Sequence, residues 1–152
     1  MNNKLRIPIC WLWLVLLILP ALATLAGCSG TANDTVNLAP MSGMPAEVQK
    51  SASSVSEAYR FAAANPDALK NVPCYCGCGS MGHTSNYSCY VTEVKSDGSI
   101  VFDQHALGCS LCVDITQDVM RYTRDGKNPR EIRAAIDQTY SQYGPSNMPA
   151  GN

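Results

Sequence analysis

Residues 89–124 read CYVTEVKSDGSIVFDQHALGCSLCVDITQDVMRYTR, and this stretch decides the fold. Residues 89–94 and 99–104 are short β-favouring runs, and Ser96, Asp97 and Gly98 between them are turn formers, so the sequence predicts a β-hairpin. Residues 109–124 then space Cys112, Ile115, Val119 and Tyr122 as one face of a helix.

Working outward, the segments on both sides are helical. Over residues 45–65, Val48, Val55, Ala58, Tyr59 and Ala62 supply an inward face, and Asn65, Pro66 and Asp67 stop that helix and permit one short turn of another. Downstream, Asn128 and Pro129 form an N-cap and first-turn pair. Behind them Ile132, Ala135, Ile136, Thr139 and Tyr143 make the predicted buried stripe of a last helix, which Gly144 ends. The expected fold is mainly α with one β-hairpin, a small single domain over residues 46–144. Residues 145–152, with Pro145, Pro149 and Gly151, are expected to be disordered.

The first residues have the layout of a secretory signal: Lys4 and Arg6, an apolar run over residues 9–19, Pro20, then small residues up to Cys28. The run is too short for a membrane-spanning helix, which needs about twenty apolar residues. Leu25, Ala26, Gly27 and Cys28 resemble the lipobox of bacterial lipoproteins. That resemblance implies a signal peptide over residues 1–27 and acylation of the Cys28 thiol, which becomes the new first residue. Residues 28–45, rich in Thr, Asn, Ser, Gly and Pro, are expected to be a flexible linker between the lipid and the domain. The expected location is the extracytoplasmic face of the cell membrane. The remaining chain is slightly acidic and carries no basic patch, which argues against nucleic acid as a partner.

Setting aside Cys10, inside the signal, and Cys28, six of the eight cysteines belong to the domain. Cys74, Cys76 and Cys78 alternate in a glycine-rich loop, Cys89 opens the hairpin, and Cys109 and Cys112 open the following helix. A hairpin brings its ends side by side, so all six thiols are expected to converge. Cys109 and Cys112 share a helix face, and the first turn of a helix favours thiolate over thiol. His83 and His105, the only histidines in the chain, flank these cysteines and join them as candidate metal ligands. Met81 and Met120 are weaker candidates, because methionine more often fills gaps in a core.

Three chemistries compete for this pattern. An exported domain with an even number of cysteines suggests a disulfide framework, although alternate residues of an extended loop have diverging side chains and pair poorly with one another. A reactive Cys109/Cys112 pair suggests thiol–disulfide exchange, without the βαβ context such pairs usually have. The third chemistry is metal binding. One zinc ion wants four ligands in two pairs and fits the spacing less well, whereas soft thiolates select copper(I). Several monovalent ions bridged by shared sulfurs would neutralise the charge of six thiolates. Zinc, silver, mercury or cadmium would accept the same donors. No nucleophile, base and orienting acid stand out, so an enzyme is not expected.

Pro73, Cys74, Tyr75, Cys76, Gly77 and Cys78 spell the motif of the PCYCGC-motif lipoprotein family, which this sequence resembles through Gly82, His83, Cys89, Cys109 and Cys112 as well. The resemblance implies an exported, lipid-anchored protein. The sequence as a whole leads to the expectation of a metal sink, buffer or carrier whose partners are a metal ion, the membrane and a metal-transfer protein still to be identified.

Overall fold

The computed structural model describes residues 36–149. The expected signal peptide and Cys28 lie outside the described residues. Five helices are present among them: α1 Ala46–Gln49, α2 Ser53–Ala64, α3 Pro66–Lys70, α4 Ser110–Arg124 and α5 Pro129–Tyr140. A two-stranded antiparallel sheet, β1 Val91–Val94 and β2 Ile100–Phe102, lies between α3 and α4 in the chain. The fold is mainly α with one hairpin, and no described helix is long and apolar enough to cross a membrane.

Local chemistry places these elements. Asn65 precedes a proline and sits at φ −134°, ψ 58°, outside the helical region, so α2 ends there and Pro66 begins α3. Val91 faces Phe102 and Val94 faces Ile100, with one irregularity between Val91 and Glu93. The Asp97 carboxylate accepts hydrogen bonds from the amide and hydroxyl of Ser99 and holds the turn. Asn128 caps α5 in a complete capping box, accepting from the Glu131 amide while Glu131 accepts from its own.

Helix α4 packs against both α2 and α5. It buries Cys112, Val113, Ile115, Thr116, Val119 and Met120. Met120 is therefore core, with no exposure, and not a ligand at the surface. Tyr59 of α2 and Tyr90 meet edge to face at 5.0 Å, and the Tyr59 hydroxyl donates to the Asp103 carbonyl at 2.8 Å. The last stripe differs from expectation. Helix α5 stops at Tyr140, which takes the buried place expected of Tyr143, and Tyr143 is 62% exposed.

Both ends of the domain are longer than the composition suggests. Within the expected linker, Met44 is buried and Val36, Leu38, Ala39 and Met41 pack against the core. Ala39 and Arg60 exchange hydrogen bonds there, the Ala39 amide donating to the Arg60 carbonyl and Arg60 Nε to the Ala39 carbonyl. Five apolar side chains scattered among polar ones are enough to seat residues 36–45 once a hydrophobic surface is offered. The tail expected to be disordered is likewise bound as far as Pro149, whose carbonyl accepts from Arg133 at 2.7 Å.

Candidate metal centre

The site is built from four pieces of chain. The loop after α3 carries Cys74 and Cys76 and runs into a 3-10 turn, Cys78–Met81, framed by Gly77 and Gly82 at φ 85° and 89°. That left-handed conformation suits glycine, and it lets the chain reverse twice within six residues. A second 3-10 turn, Tyr87–Cys89, delivers Cys89 to the base of the hairpin. At the hairpin's other end the Asp103 amide donates to the Tyr90 carbonyl, which leaves His105 close to Cys89. Cys109 is the N-cap of α4 and Cys112 lies in its first turn.

The six sulfurs converge as expected. Cys74 Sγ is 3.3 Å from both Cys76 and Cys112, and Cys76 is 3.6 Å from Cys112. Cys109 is 3.1 Å from Cys112, and Cys78 is 3.8 Å from Cys89. All six are free thiols. The loop cysteines do not diverge: the ligand atoms of Cys74, Cys76 and Cys78 all lie within 4.8 Å of one another, because the glycine-flanked turn is not extended.

Both histidines join the cluster. His105 Nε2 is 3.5 Å from Cys76 Sγ, and the two imidazole rings meet at right angles with centroids 5.1 Å apart. His83 is oriented as a ligand would be. Its Nε2 lies 3.6 Å from the Asp103 carboxylate, while its Nδ1 is buried without a hydrogen-bond partner. Metal-binding histidines commonly turn one ring nitrogen to a carboxylate and leave the other for the ion, and a buried nitrogen without a partner is otherwise costly.

Four overlapping groups of donors lie within 4.8 Å: Cys76, His105, Cys109 and Cys112; Cys78, His83, Cys89 and His105; Cys74, Cys76 and Cys78; Cys74, Cys89 and Cys112. Most of these residues belong to two groups at once. Two sulfurs sharing an ion at bond lengths near 2.3 Å stand at most about 4.6 Å apart, so the sulfur contacts above can each be bridged. The donor set therefore fits a soft metal ion.

Residues without metal-binding chemistry hold the ligands in place. The Tyr90 hydroxyl donates to the Cys112 carbonyl at 2.8 Å and lies 2.7 Å from Thr116 Oγ1, which in turn donates to Asn86 Oδ1. From the tail, Asn147 accepts from the Cys74 amide at 2.7 Å, donates to the His83 carbonyl at 3.1 Å and lies 3.7 Å from Cys78 Sγ.

The thiols do not share one ionisation behaviour. Hydrogen bonds from Cys112 and then Cys89 hold Cys74 well below the ordinary thiol value, against the opposing effect of burial. The interactions with Cys74 and then Cys89, together with burial, push Cys112 up. At Cys112 these neighbours act against the thiolate that the start of a helix favours. Burial is the main cause that raises Cys76 and Cys78. At Cys89 the largest single influence, Cys112, lowers the value, but the bond to Cys74, burial and the neighbouring sulfur charges together raise it. Charge on one sulfur thus resists charge on the next. A consequence follows for the reduced, metal-free protein. Above the ordinary thiol value of 9.0 the unfolded chain sheds protons that folded Cys76, Cys78, Cys89 and Cys112 retain. Their contribution is complete below that value and is lost as pH rises, whereas that of Cys74 is already constant there. Urea midpoints are expected to fall as pH rises above 9.0. An unchanged or rising midpoint would contradict this arrangement.

Residues 20–150 match a family described as proteins of unknown function with a PCYCGC motif. The chain belongs to that family. No curated protein and no solved structure matches it. In this member the PCYCGC run presents Cys74, Cys76 and Cys78 to the cluster. Its Tyr75 turns to α5 instead, where the hydroxyl donates to Asp137 at 2.6 Å.

Proposed function

We propose that this PCYCGC-motif protein is an extracytoplasmic, lipid-anchored copper(I)-binding protein acting as a sink, buffer or carrier, and not an enzyme. The observation that carries the reading is shared proximity. Cys112 has sulfur neighbours at 3.1, 3.3 and 3.6 Å, and disulfides, which are exclusive pairs, have no use for such crowding. Bridging thiolates do. The groups acting most strongly on Cys74 and Cys112 are other cysteines, so monovalent cations entering among them would replace protons and supply the missing positive charge. Soft sulfur favours copper(I) over harder ions, and overlapping donor groups favour several ions over one. The anchor is read from the lipobox resemblance at Cys28.

The test is a copper(I) titration of the reduced, purified protein against a competing chelator. Stoichiometric uptake, abolished in the Cys76→Ser, Cys112→Ser double variant, is the expected result. Failure of the unaltered protein to compete for copper(I) would defeat the reading. Mass spectrometry of the N-terminal peptide checks the anchor, which requires lipid on Cys28. A second reading, thiol–disulfide exchange, draws on the 3.1 Å approach of Cys109 to Cys112. It predicts that this pair alone equilibrates with glutathione.

A further inference from the structure

Met81, a weaker ligand candidate in the sequence, is 56% exposed. It ends the turn that begins at Cys78, and Gly82 then reverses the chain into His83. Met81, His83, Asp103, Gln104 and His105 together line a surface cleft. Two of its lining residues, His83 and His105, are also members of the candidate metal centre. The His83 side chain is only 11% exposed, its Nδ1 has no partner, and its donors and those of His105 fall within 4.8 Å of Cys78 and Cys89. His105 is also 3.5 Å from Cys76.

We propose that this cleft is the port through which the centre takes up copper(I) from a small soluble chelate, with Met81 as the first point of capture. The proposal rests on the copper(I) reading above. The donors are graded from outside inward: a neutral thioether in solvent, two imidazoles at the wall, then thiols that become anionic on binding. A thioether has affinity for copper(I) and carries no proton that must leave first. It engages the incoming complex before the inner donors do. The carboxylate of Asp103 adds negative charge beside the path and favours a cation there. Each transfer is ligand exchange without redox chemistry. The chelate leaves, a copper–sulfur bond forms at the centre, the thiol proton goes to water, and copper stays monovalent throughout.

Stopped-flow mixing of the reduced protein with the copper(I)–bicinchoninate complex follows the loss of the complex's colour. Met81→Ala and Met81→Leu are expected to slow uptake by about tenfold, within the one to three decades over which association rates vary among related variants. Final copper content and competition at equilibrium should stay at the unaltered level. Val94→Ala, which trims an exposed side chain on the hairpin, should change neither. Equal rates for the Met81 variants, or a normal rate in Met81→Leu alone, would overturn the port. A lower copper content in both would do so as well, by making Met81 a ligand of the centre. If the unaltered protein takes up no copper(I) at all, the functional reading itself fails, which is a different outcome.

Discussion

Cys112→Ser is expected to weaken copper(I) binding by more than about a hundredfold, beyond the 10–100-fold that loss of a residue orienting a ligand costs. Cys112 is the sulfur most shared in the cluster, with Cys74, Cys76 and Cys109 all in contact and membership in two donor groups. Its removal breaks both groups at once. The fold should survive, because what anchors this position is its backbone carbonyl, held by Tyr90 and Asn86, and not its side chain. Cys109→Ser provides the contrast. Cys109 belongs to a single donor group and is only partly buried. It is also the N-cap of α4 without making a side-chain cap, a position where serine is among the preferred residues. That variant should lose much less affinity and gain a few tenths of a kcal/mol or more in metal-free stability. Isothermal competition titrations and urea melts on the two variants measure both effects. Equal loss of affinity in the two would remove the bridging role from Cys112.

The hairpin, α4 and the Asn128–Pro129 start of α5 were legible in the sequence because each is decided within a few residues by turn chemistry, spacing or a cap. The members of the cluster were legible for another reason: cysteine and histidine advertise their chemistry wherever they stand. What spacing did not reveal was orientation. The glycine-framed turn gathers Cys74, Cys76 and Cys78, although an extended loop would spread them. Cys112 is pushed up because a sulfur far away in the sequence, Cys74, stands 3.3 Å from it. Asp103 could have been noticed, standing two residues before His105, but only the folded hairpin sets it against His83 Nε2. Residues 36–45 and the tail were misread together. Composition measures how well a segment can order itself, whereas these segments are ordered by a surface the rest of the chain provides.

The tail carries the second large effect, since Asn147→Ala should cost about 2 kcal/mol of metal-free stability, in the 1–3 kcal/mol range for stranding buried polar groups. One side chain serves the amide of Cys74 and the carbonyl of His83, while the backbone amide of Asn147 donates to the Cys74 carbonyl at 3.1 Å. These contacts span 73 and 64 residues of sequence, so the tail closes the loop between Cys74 and His83 from outside. The path to Asn147 is narrow. A Cβ added at Gly144 would stand 2.7 Å from the Tyr75 carbonyl oxygen, where backbone would have to move. Removing the Asn147 side chain leaves every metal donor in place, yet frees the loop that carries three sulfurs and one imidazole. Copper(I) affinity should then fall by about 10–100-fold, the usual cost of losing a residue that positions ligands. Stoichiometry should hold, because no donor is lost. Unaltered affinity alongside lowered stability would confine Asn147 to the fold, and a lower copper content would make it part of the centre. Loss of affinity at full stoichiometry is the signature of a tail that fixes the geometry of the ligands.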